Sequence, residues 1–125
     1  MASRNETAAR ALSGHRFGDA FPFLAQDVQW DVVGMGLVDG RDEAIAACTT
    51  LQTELVGTEV EFDSFRAIED GDTVVVDSVA TYTDQAGGFS KVSSCDIYDF
   101  KDGLIVSIRS YNVELEATID VEVAD

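Results

Sequence analysis

The stretch Cys95-Asp-Ile-Tyr-Asp-Phe-Lys-Asp-Gly-Leu-Ile-Val-Ser-Ile-Arg-Ser-Tyr111 constrains the fold more than any other part of the chain. It reads as two long antiparallel strands joined by a tight Lys101-Asp102-Gly103 turn. Side chains alternate faces along a strand, so Asp96 shares a face with Val92, Tyr98 and Phe100. A carboxylate on an apolar strand face needs a reason. Either it is hydrogen-bonded to order the sheet, or it is held in a pocket for chemistry.

Upstream, the same period of two continues. Glu59 to Ile68 reads as one strand, with Val60 and Phe62 opposite Glu59 and Glu61, and Glu69-Asp-Gly-Asp72 as its turn. Thr73 to Thr83, Phe89 to Phe100 and Leu104 to Val113 follow as strands, the first two separated by the Gln85-Ala-Gly-Gly88 turn. Before them the period is helical. Ser3-Arg-Asn-Glu6 has the form of a capping box, and Ala8, Ala11, Leu12 and His15 then fall on one helix face. A short second helix is expected from Ala20 to Ala25, capped by Asp19, with Pro22 in its first turn. Asp27 to Val33 reads as a strand with Val28, Trp30 and Val32 on one face, Gly34-Met-Gly36 as a turn, and Glu43 to Leu55 as a helix. Helices first and a strand meander afterwards describe an α+β domain with a curved mixed sheet.

The length of 125 residues fits one domain, 1–125, large enough to bury a core. Residues 114–125, with Ile119, Val121 and Val123 alternating with acids, read as an added edge strand or a frayed end. Both faces of the last two strands are apolar, and one layer of helices covers only one of them. A homodimer through the sheet is the economical solution. The formal net charge of −16, with only Lys91 and Lys101 as lysines, argues against nucleic acid as a partner. It fits a solvated acidic surface or a salt-adapted source equally well. No apolar run approaches membrane-spanning length and no signal-peptide core opens the chain, so a cytoplasmic location is expected. Cys48 and Cys95 lack metal-ligand spacing and read as buried thiols; neither a metal nor a nucleotide cofactor is expected.

Three segments carry a family resemblance: Phe23-Leu-Ala-Gln-Asp-Val-Gln-Trp30, Gly40-Arg-Asp-Glu-Ala-Ile45 and Asp96-Ile-Tyr-Asp-Phe-Lys-Asp-Gly-Leu-Ile105. They resemble the nuclear transport factor 2-like superfamily, and within it the SnoaL-like and ketosteroid isomerase-like branch. The resemblance runs from the first helix to Tyr111. It implies a cone-shaped α+β barrel, a curved sheet wrapped around the N-terminal helices with a pocket at the open end, usually dimeric. Members include isomerases, dehydratases, epoxide hydrolases, polyketide cyclases and non-enzymatic binders, so the fold does not choose the function.

Site residues carry over only in part. Asp96 falls where isomerase-like enzymes keep a protonated Asp as an oxyanion-hole donor. The strand bearing their general base matches Val28 to Val32, and its in-phase position here is Val32, not an acid. Asp31 is adjacent and faces inward only if a bulge before Gly34 turns it. The first-helix Tyr of that site matches Ala11. For the epoxide-hydrolase branch, Val79 or Ala80 and Ser110 stand near positions that need Arg and Asp.

The candidate catalytic residues are therefore Asp96, His15 and Asp31. Burial would suit Asp96 to acid chemistry, and His15, the only histidine, reaches the same pocket if the helix face holds. Trp30, Tyr82, Tyr98 and Asn112 are the candidate substrate-binding residues, each of which has an ordinary structural role as its alternative. The expected function is cofactor-free acid–base catalysis, of isomerase, cyclase or dehydratase type, on a small apolar carbonyl or polyketide-like molecule. A binding module without turnover and a structural dimer with a filled cone are the alternatives.

Overall fold

The structure, a computed structural model, describes residues 2–117. Helix α1 spans Arg4–Ser13, α2 Phe17–Ala20 and α3 Arg41–Glu54; the strands are β1 Leu24–Val32, β2 Gly36–Asp39, β3 Glu59–Asp70, β4 Thr73–Thr83, β5 Phe89–Lys101 and β6 Leu104–Ala117. The fold is α+β, as expected, and its single sheet has the order β2-β1-β6-β5-β4-β3. All neighbours are antiparallel except β1 and β6, which run parallel, so the sheet is mixed.

The β5–β6 hairpin forms as its sequence requires. Asp102 and Gly103 have φ of 54° and 79°, the left-handed pair that a two-residue turn needs to follow the twist of its strands. β6 runs on to Ala117 and keeps pairing with β5, where Ser90 faces Ala117. Residues 114–117 thus extend an existing strand instead of adding one, and the Ile119, Val121 and Val123 alternation lies outside the described residues.

Several expectations need correcting. The second helix starts earlier, at Phe17, and gives way to a 3₁₀ turn over Phe21–Phe23 with Pro22 inside it; Leu24 already belongs to β1. Its N-cap is Arg16 with no side-chain cap, not Asp19. The turn expected at Gly34-Met-Gly36 forms, but Gly36 already opens β2, and the sequence pattern assigns no strand to Leu37–Asp39. Pairing of Leu37 with Asp31 and Val38 with Trp30 makes it a strand, supported by a neighbour distant from any local signal. The capping box is half-formed: the Glu6 N–H donates to Ser3 Oγ at 2.9 Å, while the Glu6 carboxylate turns away to Arg10 Nε at 2.7 Å. Cys48 is buried as expected, whereas Cys95 is only half-buried.

The core lies between α1, α3 and the concave face of the sheet. Ala8, Ala9, Ala11 and Leu12 of α1 pack on Val74, Val76, Tyr98 and Ile108 from the strands. Alanines let the helix backbone approach the sheet closely, and the larger sheet residues fill the layer. On β3 the register slips between Phe62 and Ser64, which moves Phe65 to the same side as Phe62. Their rings meet edge to face at 5.1 Å. On the opposite face Tyr111, Val113 and Leu115 are exposed, at 41%, 58% and 56%. Among the described residues no helix is long and apolar enough to cross a membrane.

Candidate functional site

The concave face does not fill completely. A chamber of about 240 Å³ remains between α1 and the sheet, with Asp96 in its wall. β5 delivers Asp96 and Tyr98, β6 Ser110 and Asn112, β1 Trp30 and Val32, and β4 Ser78 and Tyr82, all by the period-two alternation read from the sequence. Helix α1 closes the top with Leu12 and Ser13.

Two hydroxyls converge on Asp96. Ser13 Oγ donates to Asp96 Oδ2 at 2.7 Å and also lies 2.6 Å from the Tyr98 hydroxyl. Ser13 has one proton, and it goes to the carboxylate, so the Tyr98 hydroxyl is the donor to Ser13. Ser110 stands directly across from Asp96 in the β5–β6 register and hydrogen-bonds to it. The Trp30 indole N–H donates to Ser110 Oγ at 3.0 Å. An indole N–H can only donate, so the Ser110 proton is left for Asp96. Both chains end on the same acceptor, and both favour the ionised carboxylate.

Burial acts against them. It pushes the Asp96 pKa above the ordinary carboxylate value, and the bonds from Ser110 and Ser13 and the nearby His15 only partly offset it. His15 is shifted the other way: burial holds it below the usual imidazole value, with Asp96 opposing. Burial also raises the Tyr82 hydroxyl, with Asp96 adding to the effect, and raises Tyr98 well above the usual phenol value. The result is an acid poised above its normal range, facing a neutral imidazole and protonated phenols.

His15 reaches the chamber by an unexpected route. The helix ends at Ser13, so His15 is not on its last turn. It takes the position just past the Gly14 cap with φ 65°, and the Arg16 and His15 N–H groups return to the Ala11 and Leu12 carbonyls. That closing motif usually places glycine where His15 stands. The imidazole lies 5.4 Å from the Phe17 ring, 5.6 Å from Phe62 and 6.0 Å from Tyr82, centre to centre.

Of the candidates, Asp96, His15, Trp30, Tyr82, Tyr98 and Asn112 all line the chamber. Asp31 does not. No register shift occurs before Gly34; the β1–β6 irregularity lies between Leu24 and Gln29, so Asp31 stays in phase with the outer face and is exposed. Val32 takes the inward place beside it. Asn112 sits exposed at the mouth, and its Oδ1 accepts from Ser94 Oγ at 2.7 Å, which leaves the amide NH₂ as a donor. Ser13 was missed. It falls off the face counted from Ala8, but lies four residues after the fully buried Ala9, and the run of alanines marks a helix buried over more than one stripe. Among the described residues no three His, Cys, Asp or Glu side chains gather as metal ligands.

The profile of the SnoaL-like domain matches residues 6–108. The chain belongs to the SnoaL-like domain family. Among solved structures it is similar to an NTF2-like protein of unknown function from Cytophaga hutchinsonii, with 25% identity, 88% of this chain and 96% of that chain covered, and a TM-score of 0.77. It also resembles a proposed SnoaL-like polyketide cyclase from Jannaschia sp. CCS1, at 18% identity over 87% and 85% of the two chains and a TM-score of 0.70. An LEH-like epoxide hydrolase from M. tuberculosis matches at 20% identity over 88% and 83%, with a TM-score of 0.66. These last two likenesses concern the fold. No curated protein matches the chain. The SnoaL-like chain thus has the NTF2-like cone architecture.

Proposed function

We propose that this SnoaL-like protein is a cofactor-independent acid–base enzyme that moves a proton next to a carbonyl group, in an isomerase, cyclase or dehydratase type of reaction. One observation carries this reading: a carboxylate with a raised pKa, held by two hydroxyl donors, faces an open chamber. A carboxylate held only to order the sheet has no need of open space in front of it.

In this reading Asp96 is the base. Its free carboxylate lone pair takes the proton from the carbon beside the carbonyl. The C–H electron pair moves into a carbon–carbon double bond, and the carbonyl oxygen gains the negative charge. Tyr82, the Asn112 amide and neutral His15 are the donors in reach of the chamber that can hold that oxygen. Protonated Asp96 then returns the proton to a second carbon, or to a leaving oxygen. The wall, with Ser13, Ser78, Ser94 and Ser110 in it, is more polar than a purely apolar ligand would need, so the substrate is a small molecule with at least one oxygen function. Val32, which the resemblance aligns with the isomerase-like base, lines the chamber, and this supports single-carboxylate chemistry over a two-acid mechanism. It equally favours a second reading, binding without turnover. We further propose that two copies pair through the outer sheet face, where Tyr111, Val113 and Leu115 are exposed.

Proton abstraction can be followed without knowing the substrate. Small ketones such as cyclohexanone are incubated with the protein in D₂O, and loss of the α-proton signals is followed by NMR. The wild type is expected to accelerate exchange, and Asp96→Asn to lose about 10²–10⁴ of that acceleration. Equal rates in wild type and variant would remove Asp96 as the base, and binding with no acceleration at all would select the binding module.

A further inference from the structure

The chamber ends at an aromatic partition. His15, Phe17 and Phe62 line it from one side, and the same three side chains line a second recess on their other side. This outer groove holds about 430 Å³, against about 240 Å³ for the chamber. Gly14, Gln52, Leu55 and Val60 complete the groove and do not reach the chamber. Gly14 brings backbone with no side chain to its lining.

Taken alone, the chamber is smaller than the roughly 300–1,000 Å³ usual for a small-molecule site. Joined across the partition, the two spaces fall within that range. Their chemistry changes along the path. The far end of the chamber carries Asp96 and the serine hydroxyls, the partition is made of rings, and the groove beyond presents Leu55, Val60 and Phe62 beside the Gln52 amide and the Gly14 backbone. The rings of the partition pack on one another, with His15 5.4 Å from Phe17 and 5.6 Å from Phe62, centre to centre. We infer that the groove is a second subsite, taking the alkyl or aryl body of an elongated carbonyl substrate whose oxygenated head lies beside Asp96. This rests on the reading of the chamber as a carbonyl site. His15 then touches the substrate at the joint between head and body.

Trp30, the only tryptophan, lines the chamber and not the groove, so its fluorescence reports entry of the head. Titration with straight-chain methyl ketones of increasing length gives a Kd for each. In the wild type the Kd is expected to fall about fourfold per methylene once the chain passes the partition, as burial of about 0.8 kcal/mol per CH₂ requires. Val60→Asp and Leu55→Asp each put a carboxylate into the groove from opposite walls. In either variant the ratio of short-chain to long-chain Kd should drop towards one, with a melting curve to confirm folding. Persistence of the chain-length gain in a folded variant, or a flat dependence in the wild type, overturns the subsite. Should neither variant fold, the wild-type series decides. Short ketones that bind with no length dependence remove the subsite alone. If no ketone changes Trp30 fluorescence, the carbonyl reading of the chamber falls and the subsite with it.

Discussion

Ser110 shows how much one hydroxyl can decide. It accepts from Trp30 and so is obliged to donate to the carboxylate across the strand pair. Ser110→Ala removes a bond that favours ionised Asp96. The Asp96 pKa, already raised by burial, should rise further. A ¹³C NMR titration of the carboxyl carbon measures this directly; an unchanged or lower midpoint would show that Ser110 does not donate. The sign for stability follows. Asp96 is raised in the folded state, so its contribution is whole below its ordinary value of 3.8 and is lost as pH rises through the raised one. His15 is lowered, so its contribution is present above 6.5 and is lost as pH falls through the lowered value. Asp96, Trp30 and Tyr98 were legible in the sequence because strand alternation needs only local counting. Ser13 was not, since its role depends on which strand lies under the end of α1.

At the scale of the element, the end of α1 carries the clearest cost. A non-glycine residue in the left-handed region is disfavoured by roughly 1–2 kcal/mol, and His15 is held there at φ 65°. Replacing His15 by Ala and by Gly separates the backbone from the ring, because both variants lose the imidazole and its contacts with Phe17, Phe62 and Tyr82. His15→Gly should be more stable than His15→Ala by about 1 kcal/mol in urea unfolding. Equal stabilities would mean that the loop relaxes once the ring is gone. Sequence periodicity placed His15 on a continuing helix; Gly14 was the visible warning that the helix would stop. The long strands were legible from alternation and turn chemistry. β2 was not, because three residues between Gly36 and Gly40 have no period to count, and β1 creates the strand by pairing with it. The slip at Phe62–Ser64 is invisible for the same reason: nothing in Glu61-Phe-Asp-Ser-Phe65 states where the partner strand lies.

For the whole molecule, the outer face of the sheet is the surface through which we propose that two copies pair. Tyr111, Val113 and Leu115 alternate along β6 on the side away from the helices, and half-buried Val79 and Ile97 lie on the same side. A dimer through this face should survive dilution to micromolar concentration in light scattering, and Val113→Lys should shift it to monomer by burying a charge at the contact. A wild type that is monomeric throughout would remove this surface as the interface. The mixed sheet was foreseeable as a class, but the parallel match of β1 to β6, with Val32 beside Ser110, joins segments nearly eighty positions apart and leaves no trace in local pattern. That pairing has a consequence in time. On the ribosome β1 emerges early, yet its central neighbour β6 is the last strand of the described residues to be made. Until β6 appears, β1 and β2 form a two-stranded hairpin with only α3 packed against it, and a hairpin of two strands is marginal in water. The indole-to-Ser110 bond and the closed wall of the chamber are therefore late events, and the Asp96 carboxylate acquires its environment only after synthesis has passed it.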